Sequence, residues 1–379
     1  MAALSTKGEE VRVAGGAVRN ALLGVVINDV DLATTMMPRD VMRVGKAAGF
    51  GVHPTGLEHG TITVVNQGRA FEVTTLRRDI ETDGRRAVVS FTRDFAEDAQ
   101  RRDFTINALY CDADGQIFDY TTGLQDIARK RVRFVGDSAA RIREDYLRIL
   151  RFFRFSAWYG KGPLCPVGLT ACKALKDGLK QISAERMRQE ILKILVAPRA
   201  VAILQAMAKA QILELVFHHN DEFRVLGRLP GDAILRLVAL AKNPPELKER
   251  LRLSNAEAER IDAMLSMAPV TADLTEQQCH ALIYMKGLQA FLDVTLLSQA
   301  SSNARMNDKI WERLQGLGKG WVIPSLPISG QDLIEAGVKP GPALGKSLKA
   351  VEDYWIAQDF KPTRSELLGR IGAGDENGK

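Results

Sequence analysis

The sequence predicts an α+β chain: an N-terminal head mixing short strands with helices, then a long all-helical remainder. Three observations carry this. Short β-branched runs alternate with helical stretches from residue 11 to about 135. Strand signals nearly vanish beyond about 138. Amphipathic helical patterns fill most of the remaining chain, at 141–157, 183–197, 200–216, 231–242, 246–266, 275–298 and 345–358.

Each element of the head has its own signal. "VRVAGG" reads as a strand running into a turn, "AVRNALLG" as a helix closed by Gly24, and "DVDLAT" as a second strand. "PRDVMRVGKAAGF" reads as a helix with Pro38 at its start, where a missing N–H costs nothing. "GTITVV" and "AFEVTTL" form a hairpin around "NQGR", and "INALYCDADGQIFDYT" forms another that turns at Asp114-Gly115. After 138, "REDYLRILRFFRF" is the strongest helical pattern. "SAERMRQEILKILVAP" opens on Ser183 with a near capping box and ends at Pro198. The closing "GAGDENGK" reads as disordered.

Composition narrows the function classes. The 379 residues carry 52 basic against 46 acidic side chains, a net charge of +6 that suits an anionic partner or an ordinary solvated surface. The four cysteines have no CxxC spacing and no clustered histidines, which disfavours a zinc site or a disulfide framework and favours a reducing compartment. "MAALSTKGEE" lacks the apolar core of a signal peptide, and no run of about 18 apolar residues could span a bilayer. The expectation is a cytoplasmic protein with no membrane partner.

The chemistry concentrates in a few stretches. Side chains alternate along a strand, so Asp29 and Asp31 are expected on one face, where their mutual repulsion invites a divalent cation. Oxygen ligands with open positions suit Mg²⁺ shared with substrate phosphates; a solvated strand end would carry the same two residues. Gly15-Gly16 followed by a helix start and Arg19 makes an anion cradle, though a plain tight turn also uses two glycines. Glu72, between Phe71 and Val73, is a third available carboxylate, unless it faces water from an edge strand. Asp145, Arg148, Arg151 and Arg154 recur every three residues and mark one stripe of a helix, with Leu147, Ile149, Leu150, Phe152, Phe153 and Phe155 anchoring its other side. Three arginines among aromatic residues suit phosphate or base recognition. "GPALGKS" is no P-loop, because Pro340 stands where its first glycine belongs, and His59 has no partner at metal-ligand spacing.

Taken together, "GGAVRNALLG…NDVDLATT", "FEVTTLRRD", "RRDFTINALY", "DYTTGLQDI" and "EDYLRILRFFRF" resemble class II nucleotidyltransferases, the CCA-adding enzymes of tRNA and bacterial poly(A) polymerases. The likeness spans about residues 11 to 200, and "SGQDLIEAGVKPGPALGKSL" looks like the tail of CCA-adding members. It implies a nucleotidyltransferase head with a mixed or antiparallel sheet at 1–137, a helical neck at 138–200 that recognises the base, and a helical body and tail at 201–379 that bind tRNA. It further implies that Asp29 and Asp31 bind a two-ion Mg²⁺ site, with Mn²⁺ as an alternative ion and Glu72 as the third catalytic carboxylate. Gly15, Gly16 and Arg19 would hold the triphosphate. Arg102 would contact the nucleotide, with Asp103 and Asn107 around the sugar. Asp145 and Arg148 would face the base, and Arg151 and Arg154 would complete the pocket. The implied substrates are ATP, CTP and tRNA lacking all or part of its 3′ CCA, with no DNA partner expected.

The base assignment also has a physical basis of its own. Adenine and cytosine both present an amino donor beside a ring-nitrogen acceptor. A carboxylate accepts from the first and a guanidinium donates to the second. Guanine and uracil present a carbonyl oxygen and a ring N–H there, and such mispairing of buried groups can support rejection on the order of 10⁴-fold.

The family usually has aspartate where this chain has Asn20. The stretch from 77 to 104 resembles the flexible loop of CCA- and A-adding enzymes, which CC-adding members lack. The expected activity is therefore CCA addition. A poly(A) polymerase or A-adding specialist is the alternative on the same scaffold, and a catalytically inactive RNA-binding homologue is the second.

Overall fold

The computed structural model describes residues 1–5, 8–83, 86–305 and 307–372, with 79–83, 86–89 and 371–372 as backbone only. The head is built on β1 (Val11–Ala14), β2 (Asp31–Thr34), β3 (Gly51–Gly56), β4 (Thr61–Asn66), β5 (Arg69–Thr75), β6 (Arg77–Asp83), β7 (Arg86–Phe91), β8 (Leu109–Cys111) and β9 (Ile117–Asp119). Seven of these form one sheet in the order β3-β4-β5-β2-β1-β8-β9, and β6 pairs with β7 separately. Every neighbouring pair in the large sheet is antiparallel except β2 and β5, so the sheet is mixed.

Both predicted hairpins are present. β4 and β5 turn at Gln67 and Gly68, with φ of 48° and 75°, the left-handed pair that a two-residue hairpin loop requires. β8 and β9 turn around Gly115 at φ 86°. One face of the sheet packs Leu4, Val11, Leu32, Met36, Val41, Ile62, Val64 and Val73 together. The other packs Ala14, Ala33, Leu76, Phe95, Ala99, Ala108, Tyr110 and Val135.

Helices α1 (Gly16–Leu23), α2 (Pro38–Ala47), α3 (Phe95–Gln100) and α4 (Gly123–Ala128) belong to the head. As expected, Gly24 closes α1 in the left-handed conformation and Pro38 opens α2. Next come α5 (Ser138–Glu144), α6 (Leu147–Tyr159), α7 (Pro166–Ala174), α8 (Ala184–Leu195) and α9 (Ala200–Lys209). Phe104, Phe134, Phe152 and Phe155 pack ring on ring and join α6 to the head. Ser183 precedes α8, but its side chain makes no capping bond.

Beyond Asp119 the described residues hold helices and no further strand. The chain divides into two compact units. The first is residues 1–221 with 231–233 and 241–253, so head and neck helices share one unit. The second comprises 222–230, 234–240 and 254 onward. It contains its own core of Ile328, Leu333, Val351, Trp355 and Leu367. No described helix is long and apolar enough to cross a membrane. Most of the "GAGDENGK" tail and positions 84–85 of the loop-like stretch lie outside the described residues.

Candidate active site

The site begins where β1 runs into α1. Gly15 lies at φ 65°, ψ −111°, and its N–H donates to the Leu109 carbonyl at 2.9 Å. A Cβ there would lie 2.9 Å from Nη1 of Arg102 and 3.2 Å from the Asn107 carbonyl. Both backbone conformation and space therefore demand glycine. Gly16 opens the helix, and Arg19 comes one turn later.

Asp31 is the first residue of β2, paired with Ala14 of β1 on one side and Glu72 of β5 on the other. Asp29 lies before the strand, contrary to the expectation that both would sit in one strand. β1 ends at Ala14, so the ladder that fixes β2 ends opposite it. Both carboxylates nevertheless line the same cleft.

That cleft has a volume of about 670 Å³ and brings together Gly15, Gly16, Arg19, Asp29, Asp31, Arg102, Asp103, Asn107, Asp145, Arg148, Arg151 and Arg154. Glu72 is not among its lining residues. It is exposed and lies on the interior strand β5 rather than at an edge. It lines an adjoining cavity of about 210 Å³ that shares Asp31, Arg101 and Arg102 with the cleft. Burial and the charges of Glu72 and Asp29 push the Asp31 carboxyl above its ordinary pKa, against the opposing charge of Arg102.

The stripe is also modified. The pattern from Arg141 to Ala157 is not one helix, because α5 ends and Asp145 is extended at φ −156°, ψ 107° before α6 begins. Asp145 causes its own break: Oδ1 accepts the Leu147 N–H at 3.0 Å, and Oδ2 accepts from Arg186 at 2.7 Å. Arg148 donates to the Glu144 carboxylate and, at 2.9 Å, to the Arg141 carbonyl. Arg151 Nε bonds Asp103 at 2.8 Å, and Arg154 pairs with buried Glu190 at 3.0 Å. Burial opposes ionisation of Asp103. The Arg151 charge and hydrogen bonds from Asn107 and Arg151 outweigh it and hold the carboxyl below the usual range.

Several supporting groups carry no motif signal in the sequence. Arg186, Glu190 and Glu144 hold the stripe, and Asp98 holds the floor. Asp98 is 1% exposed and accepts from Arg101 at 2.7 Å, Arg102 at 3.1 Å and the Tyr110 hydroxyl at 2.6 Å. Burial alone would raise its pKa, but these partners bring it down to about 2. The signal that could have pointed to Asp98 is its place three and four residues before Arg101 and Arg102, the spacing of helical ion pairs.

The donor set suits a hard divalent cation. Asp29 and Asp31 share the cleft, and burial and like charge oppose ionisation of Asp31, which a cation would relieve. Among the described residues no three carboxylate, histidine or cysteine side chains already converge on one point.

Three family models match the chain. "Poly A polymerase head domain" covers residues 11–133, "Probable RNA and SrmB- binding site of polymerase A" covers 166–223, and a second-domain model of tRNA nucleotidyltransferases covers 233–369. The mitochondrial CCA tRNA nucleotidyltransferase 1 of Danio rerio is 34% identical, over 96% of this chain and 87% of that protein. The CCA-adding enzyme of Leuconostoc citreum is 33% identical, over 96% and 92%. The crystal structure of the Bacillus stearothermophilus CCA-adding enzyme in complex with CTP superposes with a TM-score of 0.85 at 28% identity, covering 99% of this chain and 96% of that one.

Proposed function

The chain belongs to the family of CCA-adding tRNA nucleotidyltransferases, and from that premise we infer that it adds or repairs the 3′-terminal CCA of tRNA. The reaction takes CTP and ATP, needs no nucleic acid template and releases pyrophosphate. The observation that carries the reading is a single cleft lined by Asp29 and Asp31, a glycine turn with a buried arginine, and the Asp145–Arg154 stripe.

In this reading Gly15, Gly16 and Arg19 hold the triphosphate, and Arg151 and Arg154 close the pocket around the nucleotide. Arg102 contributes a fixed positive charge beside Asp31, while Asp103 and Asn107 border the sugar. Asp145 accepts the amino hydrogen of cytosine or adenine, and Arg148 donates to the neighbouring ring nitrogen. The family uses a divalent metal. Asp29 and Asp31 would hold a two-ion Mg²⁺ site, with Glu72 reaching in from the adjoining cavity. When bound, the ions supply the acidification of the attacking 3′-hydroxyl and the charge that steadies pyrophosphate. The helical segments at 138–200 and 201–379 serve base recognition and tRNA binding respectively. Four free cysteines support a reducing, cytoplasmic setting.

The test is incubation of the purified protein with tRNA lacking its CCA end, Mg²⁺ and each nucleoside triphosphate. Incorporation of C, C and A, ending there, is the expected result. A alone, or long A tails on any RNA, would identify the A-adding or poly(A) alternative, and no incorporation with intact RNA binding would identify an inactive homologue.

A further inference from the structure

Arg19 is 7% exposed, and its guanidinium is held from several sides. Nε and Nη2 donate to Oδ1 of Asn20 at 3.1 and 2.9 Å, and Nη1 donates to Oδ1 of Asn107. The Asn107 amide in turn donates at 2.9 Å to Asp103, whose negative charge acts on Arg19. A further hold comes from the neck. Nη2 also donates to the Tyr159 hydroxyl at 3.1 Å, and the guanidinium carbon lies 4.3 Å from the centre of the Tyr159 ring. A tyrosine serves both contacts, because its oxygen accepts a hydrogen bond and its ring face attracts a cation.

Tyr159 is the last residue of α6, the helix that carries Arg148, Arg151 and Arg154. One turn before it, Phe155 stacks on its ring with centres 5.9 Å apart and planes 26° apart. The Phe155 ring lies against three guanidinium groups, 5.2 Å from Arg19, 5.3 Å from Arg151 and 4.4 Å from Arg154. Phe155 lines the cleft, whereas Tyr159 is not among the lining residues and so acts through Arg19 rather than on a nucleotide. Burial and the like charge of Arg151 lower the Arg19 pKa, against the Tyr159 hydroxyl and the Asp103 charge. One helix thus bears the base-facing stripe and, at its far end, a prop for the arginine of the glycine turn.

We propose that Tyr159 is a positioning residue for the nucleoside triphosphate, aiming Arg19 at the phosphates from the end of the base-reading helix. The proposal rests on the triphosphate reading given above. The test is Tyr159→Phe in the full chain, which keeps the ring and removes the acceptor. Steady-state KM and kcat for CTP and ATP are measured at saturating tRNA, together with inhibition by inorganic triphosphate and by cytidine. The expected result is a KM raised about fivefold, less than the full worth of a bond from a charged donor because Asn20 and Asn107 still hold the guanidinium. Inhibition by inorganic triphosphate weakens by the same factor, inhibition by cytidine is unchanged, kcat changes less and the melting temperature is retained. Adding Asn20→Asp to Tyr159→Phe puts a full charge on the acceptor that faces Nε and Nη2, and is expected to return KM to within twofold of wild type.

Three results would each overturn the proposal while leaving the function standing. They are a KM within twofold of wild type in Tyr159→Phe, cytidine inhibition weakened as much as that by triphosphate, and no recovery in the double variant. Absence of incorporation by the wild-type chain would instead overturn the functional reading.

Discussion

Arg186 and Asp145 are joined by an ion pair of 2.7 Å, in which the arginine on α8 occupies one oxygen of the carboxylate proposed to read the base. The other oxygen is held by the Leu147 N–H, so the carboxylate plane is fixed before any nucleotide arrives. Arg186→Ala removes one charge-assisted bond, worth about 1.5–3 kcal/mol, and frees that plane. The expected outcome is a KM for CTP and ATP raised on the order of tenfold, with measurable incorporation of GTP or UTP. Unaltered selectivity in a four-nucleotide incorporation assay would mean that Asp145 is held without Arg186.

Arg148 is the proposed donor half of the same reading edge. Arg148→Ala should slow transfer and also flatten the preference for ATP and CTP over GTP and UTP. Competition between labelled nucleotides measures this directly, and a slower enzyme with its preference intact would transfer base reading to another group.

Asp31 joins the two cavities and neighbours both Asp29 and Glu72. Asp31→Ala is expected to lower turnover by about 10³-fold or more, on the scale of several kcal/mol of lost charge stabilisation, while tRNA binding by gel shift persists. Chelation of divalent ions should abolish incorporation and restoring Mg²⁺ should recover it. Turnover that survives both treatments would remove the metal from the mechanism.

Gly15 has less room for a side chain than Gly16 beside it. Gly15→Ala forces a side chain into a left-handed conformation against Arg102 and the Asn107 carbonyl, at a cost of about 1–3 kcal/mol. The denaturation midpoint should fall and nucleotide incorporation should drop further than the stability loss explains.

Asp98 makes stability depend on pH. Its folded pKa of about 2 lies below the ordinary 3.8. Its stabilising contribution is therefore complete above the unfolded value and is lost as pH falls through the folded one. By linkage this is worth about 2 kcal/mol at neutral pH. Asp98→Asn should lower the urea midpoint at pH 7, and its deficit relative to wild type should shrink below pH 4. A deficit that stays constant down to acid would show that Asp98 acts by its shape rather than its charge.

Much of the architecture is legible in short-range pattern. The Gln67-Gly68 turn, Gly24 at the end of α1 and Pro38 at the start of α2 declare themselves because each satisfies a backbone requirement that few other residues meet. The cleft residues are legible as types: carboxylates spaced two apart, arginines spaced three apart, and a glycine pair before a helix. Periodicity failed at Asp145, where a residue spaced correctly for a helix uses its own carboxylate to end one. It failed at Asp29 because the length of β2 depends on its partner β1, not on its own side chains.

Local sequence thus dictates which elements form and which chemistry they carry, because those depend on contacts within a few residues. Which arginine faces which carboxylate was decided only by folding. Asp145 and Arg186 stand 41 residues apart, and Arg19 and Asn107 stand 88 apart. Buried charges take their partners from whatever packing brings near. The hydrogen bonds of Arg19 to Asn107 and Tyr159 exist only once α1, α6 and the segment after α3 enclose the same guanidinium.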